Sequence, residues 1–168
     1  MSPARLSRGL VAPVAALRKV PGSRLPVEAT LPADGYFVSG SRVEDRTPVK
    51  VDLALDSAHE GIVVSGTVRA QWVGECRRCL EEARGDLVVE VRELCVEGAV
   101  DDTTYPIRND EIDLGEIVHD ACILDLPLAP LCREDCRGLC PECGANWNLE
   151  TCPHADGVAR FGVIEGGA

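Results

Sequence analysis

Five cysteines lie within 21 consecutive residues near the end of the sequence, and a closely spaced pair lies upstream of them. The upstream pair reads Cys76-Arg77-Arg78-Cys79, and the downstream stretch reads CREDCRGLCPECGANWNLETCPH over residues 132–154. Two residues between cysteines let one tight turn direct both thiolates at the same ion, and zinc prefers four such ligands in a tetrahedron. The residue types and their spacing therefore indicate zinc binding.

Eight potential ligands form four close pairs, which is enough for two tetrahedral zinc sites. We predict one site from the last two pairs, because only eight residues separate Cys143 from Cys152. The other site would join the upstream pair to the first pair of the tail. A different grouping around Cys136 and Cys140 stays open, and so does one zinc ion instead of two. The predicted ligands are Cys76, Cys79, Cys132, Cys136, Cys140, Cys143, Cys152 and His154.

Disulfides and thiol catalysis are the alternatives for these cysteines. Nine cysteines cannot all pair, and short spacings beside turn residues are typical of metal sites in a reducing cytoplasm. Arginines beside the upstream pair would lower the thiol pKa of a redox couple, but this pair lies between two predicted strands instead of at the start of a helix. Cys95 and Cys122 lie on apolar segments, and we predict that they are buried thiols that bind no metal.

Alternating apolar residues predict strands that would hold these ligands in place. The upstream cysteine pair would lie at the tip between the two longest strands, and Gly66 is expected to mark a bulge or a close backbone approach. Residues 98–111 are expected to form an exposed acidic loop. The predicted strands are RLPVEATL (24–31), VKVDLALD (49–56), IVVSGTVRAQWVGEC (62–76) and GDLVVEVRELCVE (85–97).

The apolar spacing becomes helical from Leu114 onward. Asp113 is a suitable N-cap, and Glu116 stands at the third helical position. Pro127 and Pro130 would end the helix and lead the chain into the cysteine-rich tail.

Together these elements predict an α+β fold. It would comprise a twisted antiparallel β-sheet with long hairpins, one packed helix and a zinc-stapled C-terminal module. The sheet and helix would form a body over residues 1–131, which begins with a basic segment at 1–33. The tail, residues 132–168, would pack on the hairpin tip at 76–79.

The net charge of the chain and its distribution favour some classes of binding partner over others. The chain carries a net charge of −11, distributed unevenly: residues 1–33 hold five basic and one acidic side chain, whereas residues 97–131 hold one basic and nine acidic. An acidic body repels phosphates, so a basic, protein-rich partner is a better match, and any direct RNA contact is expected from the basic segment. Six aromatic residues are too few for a platform that stacks single-stranded bases.

The sequence argues against an enzyme and against a membrane span. Thiolate-rich sites with four ligands are closed, whereas a hydrolytic zinc needs an open position and a nearby general base. The sequence contains no glycine-rich phosphate loop and no nucleophile elbow, so no small-molecule substrate is predicted. No apolar run reaches the roughly 18 residues of a transmembrane helix, and we expect a cytoplasmic protein.

Three motifs resemble the YceD family: VSGTVRAQWVGECRRCLEE, DEIDLGEIVHDACILDLPLAPLC and CRGLCPECGANWN. The resemblance extends over roughly residues 15–155. It differs at the last ligand pair, where the family often has C-x-C and this chain has Cys152-Pro153-His154.

The resemblance implies a small cytoplasmic, non-enzymatic bacterial protein linked to the accumulation and processing of large-subunit ribosomal RNA. Its partners would be large-subunit precursors, a ribosomal protein or ribosomal RNA. The alternative is a zinc- or redox-responsive regulatory protein that uses the C-x-x-C pairs.

Overall fold

The structure, a computed structural model, describes residues 9–98, 101 and 103–154. Within these ranges strands predominate and helices are few. In chain order the elements are β1 (Val11–Pro13), α1 (Ala15–Arg18), β2 (Arg24–Leu31), β3 (Ser41–Val43), β4 (Val49–Ser57), β5 (Ile62–Glu75), β6 (Glu82–Val96), β7 (Thr104–Pro106), β8 (Glu111–Asp113) and α2 (Leu114–Asp125).

One six-stranded sheet dominates the fold. Its strands follow the order β2-β4-β5-β6-β7, and β3 pairs with the far end of β5. The β5–β6 hairpin is the longest ladder and runs without a break from the Ile62–Cys95 pair to the Glu75–Glu82 pair. A separate two-stranded sheet joins β1 to β8. The α+β class and the four strands that alternation predicted are confirmed, with boundaries that shift by up to three residues.

The sheet is mixed, because the predicted antiparallel pairing holds for the described strands except β7. β7 runs parallel to the end of β6, with Leu94 opposite Thr104 and Val96 opposite Pro106. The expected acidic loop at 98–111 is therefore partly a strand that adds an edge to the sheet, and Ile107 behind it is buried. Proline is tolerated at such an edge because its missing N–H removes no interior ladder bond.

The core lies on one face of the sheet, beneath α2 and the β1–α1 segment. Alternate residues of the central strands point inward, including Leu53 of β4 and Val68 of β5, and Ile117 of α2 belongs to the same buried cluster. At Gly66 the β4–β5 register continues without a bulge, but a Cβ there would lie 2.2 Å from the Asp52 carbonyl oxygen. Gly66 is thus a point of close backbone approach.

Helix α2 begins and ends where the sequence predicts. The Asp113 side chain accepts a hydrogen bond from the Glu116 N–H at 3.1 Å, which satisfies one of the free donors of the first turn. The helix ends before Leu126, whose extended backbone is the conformation favoured before a proline. Among the described residues, no helix has the length and apolar character needed to cross a membrane.

Loss of the Asp113 cap is expected to destabilise the protein. Asp113→Ala removes the acceptor and should lower the free energy of unfolding by about 1 kcal/mol, whereas Asp113→Asn retains an acceptor and should cost only a fraction of that. Urea denaturation of the two variants and the parent under reducing conditions measures the difference. Equal stability of Asp113→Ala and the parent would contradict a capping role.

Candidate metal centres

The β5–β6 turn brings the upstream cysteine pair to the inner face of the sheet. The Cys76 N–H donates to the Glu81 carbonyl at 2.8 Å, and the Leu80 N–H donates to the Cys76 carbonyl at 2.9 Å. These bonds close a tight turn at the end of the long ladder. Cys76 and Cys79 are both buried, so the turn directs their sulfurs into the protein.

The chain after α2 returns to this turn and supplies two further cysteines. The Arg77 N–H donates to the Pro130 carbonyl at 3.0 Å, and the Leu139 N–H donates to the Arg78 carbonyl at 3.1 Å. Gly138 adopts a left-handed φ of 79°, and a Cβ there would lie 3.1 Å from the Arg78 carbonyl oxygen. These contacts hold the tail against the hairpin tip.

Four sulfurs meet at the hairpin tip, and we call this group the hairpin cluster: Cys76, Cys79, Cys132 and Cys136. The sulfurs of Cys76 and Cys136 are 3.8 Å apart, those of Cys79 and Cys132 are 3.6 Å apart, and all four lie within 4.8 Å of one another. Zinc–sulfur bonds of about 2.3 Å give a regular tetrahedron with edges of about 3.8 Å. Both the donor atoms and their spacing therefore fit a closed zinc site.

A second group of four ligand atoms lies within the tail, and we call it the tail cluster: Cys140, Cys143, Cys152 and His154. Its ligand atoms also lie within 4.8 Å of one another, and the Cys140 sulfur is 3.9 Å from Nδ1 of His154. Cys140 is buried, whereas Cys143 is exposed. This cluster is more open to solvent than the hairpin cluster, three of whose cysteines are buried.

The eight predicted ligands thus fall into two groups with the membership that the spacing suggested. Each group could hold one metal ion. The two other cysteines are elsewhere: Cys95 and Cys122 are buried in the main core, where burial raises the pKa of each thiol to about 12. Both therefore remain protonated thiols.

The two C-x-x-C turns share one backbone geometry but differ in the residue that follows. The Gly144 N–H donates to the Cys140 carbonyl at 2.9 Å, as the Leu80 N–H does to Cys76. Gly144 has a φ of 76° and Leu80 has a φ of 62°, both in the left-handed region. Glycine adopts this conformation freely, whereas a leucine is strained by its Cβ.

Hydrogen bonds to sulfur favour thiolates at two positions of the hairpin cluster. Burial opposes ionisation of Cys76, but the backbone N–H groups of Cys132, Cys79 and Arg78 together lower its pKa to about 6. By contrast, burial raises the pKa of Cys132 to about 12, and the neighbouring Cys79 sulfur adds to this effect. Metal binding requires thiolates, and the cluster therefore has one favoured thiolate in Cys76.

A second favoured thiolate in the hairpin cluster is Cys136. Although burial opposes its ionisation, the side-chain amide of Asn148 donates to its sulfur at 3.3 Å and lowers its pKa. In the tail cluster the Trp147 indole N–H donates to the Cys152 sulfur at 3.2 Å and, as the largest cause, lowers its pKa to about 6.

Sequence reasoning did not identify Asn148 and Trp147 as sulfur donors. The available signal was their position, since the segment Asn146-Trp147-Asn148 lies between two ligand pairs and carries side-chain N–H groups. Spacing alone does not say which sulfur such a donor reaches, because that depends on how the tail folds over the hairpin tip.

Comparison with known proteins finds one family model that matches residues 64–165, described as "Large ribosomal RNA subunit accumulation protein YceD". The chain is 32% identical over 155 residues to an uncharacterised protein of Mycobacterium leprae, covering 85% of this chain and 71% of that relative. It is 45% identical over 101 residues to an uncharacterised protein of Mycobacterium tuberculosis, covering 56% of this chain and 49% of the relative.

A plant relative carries a functional name. The chain is 23% identical over 154 residues to "Large ribosomal RNA subunit accumulation protein YCED homolog 1, chloroplastic" of Zea mays, covering 71% of this chain and 53% of that protein. The chain spans about half the length of the mycobacterial relatives that it matches at 45% identity. No solved structure matches it.

Removal of one ligand from the tail cluster is expected to halve the bound zinc. Protein purified under reducing conditions should carry about two zinc ions per chain, and Cys140→Ser should carry about one, because a closed site needs all four ligands. Cys95→Ala is the matched control, since its thiol lies in the core, and it should retain both ions. Elemental analysis against protein concentration measures the ratio. Zinc loss in Cys95→Ala would contradict the ligand assignment.

Relief of the strained leucine is expected to stabilise the hairpin tip. Leu80→Gly should raise the free energy of unfolding by up to about 1 kcal/mol, because glycine adopts a positive φ freely and Leu80 is 57% exposed. The opposite substitution in the second C-x-x-C turn, Gly144→Ala, should lower the free energy of unfolding by a similar amount. Denaturation of the zinc-loaded proteins checks both. A marked loss of stability in Leu80→Gly would show that its side chain makes a needed contact.

Proposed function

The chain belongs to the YceD family, and on that premise we propose that it is a non-enzymatic factor in the accumulation or processing of large-subunit ribosomal RNA. It acts by binding large-subunit precursor particles, through ribosomal proteins or the RNA itself. The observation that carries this proposal is the family match, because the matched residues 64–165 include most of the β5–β6 hairpin and every ligand of both clusters.

In this proposal a zinc ion binds in each of the two clusters. The hairpin cluster would hold one ion with four sulfurs, and the tail cluster would hold another with three sulfurs and His154. When bound, zinc supplies cross-links between chain segments. All nine cysteines are free of disulfides, which suits a reducing compartment and supports action in the cytoplasm.

The donor sets support a structural role instead of a catalytic one. Four protein ligands complete the tetrahedron of a zinc ion and leave no position for a reacting water or substrate. Seven of the eight ligands are cysteines, a composition typical of structural sites. The clusters would therefore shape a binding surface.

Two of the five basic residues in the segment expected to contact RNA form ion pairs within the protein. Arg18 forms ion pairs with Glu97, at 2.6 Å, and with Asp110, and hydrogen bonds to both carboxylates raise its pKa. Arg24 pairs with Asp56 at 3.3 Å. Arg5 and Arg8 lie outside the described residues. These two arginines are therefore weaker candidates for phosphate contact than the composition of the segment suggests.

Arginines beside the hairpin cluster are better candidates for that contact. Arg78 donates to the carbonyls of Glu134 and Cys136, so its guanidinium is held within the fold. The side chains of Arg77 and Arg137 are exposed, and neither has a hydrogen bond or an ion pair among the residues that the structure describes. These two cations are available to a phosphate or to an acidic group of a ribosomal protein.

Removal of both exposed arginines is expected to weaken particle binding and its dependence on salt. The double variant Arg77→Ala/Arg137→Ala should reduce the slope of log affinity against log salt by about 1.5, because each phosphate contact contributes roughly 0.7 to 0.9. Sedimentation of the protein with purified large-subunit precursors over a series of salt concentrations measures this slope.

The double variant Arg69→Ala/Arg92→Ala is the matched control. It changes the net charge equally, but both residues lie on the outer face of the sheet, on β5 and β6. An equal effect of the two double variants would contradict a specific contact by Arg77 and Arg137.

A zinc- or redox-responsive regulator is the second candidate function. The exposed thiol of Cys143 favours it, because an accessible ligand allows metal exchange or oxidation. Depletion of the protein distinguishes the two functions. The proposed function predicts that mature large-subunit ribosomal RNA falls before small-subunit RNA does. Unchanged subunit ratios, with no binding to precursor particles, would support the regulator.

A further inference from the structure

One short segment of the tail contacts sulfurs of both clusters. Asn146, Trp147 and Asn148 lie between Cys143 and Cys152, two ligands of the tail cluster. The Trp147 indole N–H donates to the Cys152 sulfur of that cluster at 3.2 Å. The next side chain, Asn148, donates from Nδ2 to the Cys136 sulfur of the hairpin cluster at 3.3 Å. Adjacent residues thus support different metal centres.

Other hydrogen bonds fix the orientation of the Asn148 amide. Its Oδ1 accepts from the Arg137 N–H and from Nη2 of Arg133, both at 2.8 Å. Its Nδ2 also donates to Oδ1 of Asn146 at 2.8 Å. Because two donors face the oxygen, the amide nitrogen must be the atom that faces the sulfur. The contact with Cys136 is therefore a donated hydrogen bond.

The segment is also anchored through its backbone to the chain between the clusters. The Trp147 N–H donates to the Gly138 carbonyl at 3.0 Å, and the Cys140 N–H donates to the Ala145 carbonyl at 2.8 Å. Gly138 lies two residues after the last cysteine of the hairpin cluster, and Cys140 is the first ligand of the tail cluster. The backbone thus ties residues 146–148 to the chain that links the two clusters.

We propose that the two clusters bind zinc cooperatively and that Asn148 is the positioning residue that couples them. Closure of the tail cluster orders residues 146–148 and presents the Asn148 amide to the Cys136 sulfur. This donor holds the sulfur in the orientation that a metal in the hairpin cluster needs. By reciprocity, metal in the hairpin cluster favours closure of the tail cluster to the same extent.

Because Cys143 is exposed, the tail cluster would lose its metal before the hairpin cluster does. The tail cluster is the more accessible of the two, so a chelator or oxidant reaches it first. Its opening would then withdraw the Asn148 donor and lower the zinc affinity of the buried hairpin cluster. This inference rests on the proposal that both clusters bind zinc.

A thermodynamic cycle on the full chain tests the coupling. The zinc affinity of the hairpin cluster is measured by chelator competition, with the tail cluster intact and with it blocked by Cys143→Ser/His154→Ala. In the parent protein, blocking should lower this affinity about 10-fold or more, as loss of a hydrogen-bonding partner of a metal ligand commonly does. In Asn148→Ala, blocking should leave the affinity unchanged.

A second variant separates the donor from the fold of the segment. Asn148→Asp retains the oxygen that Arg133 and Arg137 contact but removes the donor, so it too should abolish the coupling. Leu149→Ala is the matched control, because Leu149 is 79% exposed and adjacent to Asn148, and it should retain the full coupling.

Two results would overturn the coupling. One is an unchanged affinity when the tail cluster of the parent is blocked, and the other is the same 10-fold loss in both Asn148 variants. A parent protein that binds no zinc would instead contradict the zinc centres of the proposed function.

Discussion

Four sulfur atoms at the tip of the β5–β6 hairpin join the two parts of the chain. The body and the tail meet there, and few other side chains contribute to the junction. The apolar cluster around the sulfurs consists mainly of the cysteines themselves and Ala83. Trp72, Leu131 and Leu139 pack at its edge. Of the two large apolar residues in the segment between Cys143 and Cys152, Leu149 is exposed and Trp147 is half-buried. The described part of the tail, residues 132–154, therefore has little buried apolar surface apart from the clusters, and metal bound there would contribute to its order.

The pairs of candidate ligands and the main strands could be predicted because each rests on a local pattern. The spacing of Cys140 and Cys143 reflects the size of one turn, and alternation along β4 reflects a sheet with one buried face. The Asp113 cap is equally local, since its acceptor lies three residues from the donor. Patterns of this kind need no knowledge of distant parts of the chain.

The features that could not be predicted depend on pairings that no local sequence pattern encodes. β7 is three residues long and pairs with the end of β6 in parallel, so its sequence carries little signal of its own. The same holds for Arg18, whose partners Glu97 and Asp110 come from beyond the central hairpin. Asn148 belongs to this group too, because the sulfur that it contacts is set by the fold of the tail. Pattern reasoning identifies ligands more readily than the side chains that orient them.

The distribution of charge follows from the same architecture. Net charge is −11 over the chain, and thiolates bound to zinc would add to it at the hairpin tip. Arginines gather at that tip, where Arg78 and Arg133 bind nearby groups of the tail. Two exposed arginines without ion-pair partners among the described residues, Arg77 and Arg137, thus lie beside the hairpin cluster of an acidic protein.

The proposal that zinc binds in both clusters through these ligands is tested most directly by zinc-edge X-ray absorption. The protein is purified under reducing conditions without added metal. The account predicts tetrahedral zinc with an average of about 3.5 sulfur and 0.5 nitrogen neighbours and a zinc–sulfur distance of about 2.3 Å. Zinc bound mainly through oxygen or nitrogen, or no bound zinc, would contradict it.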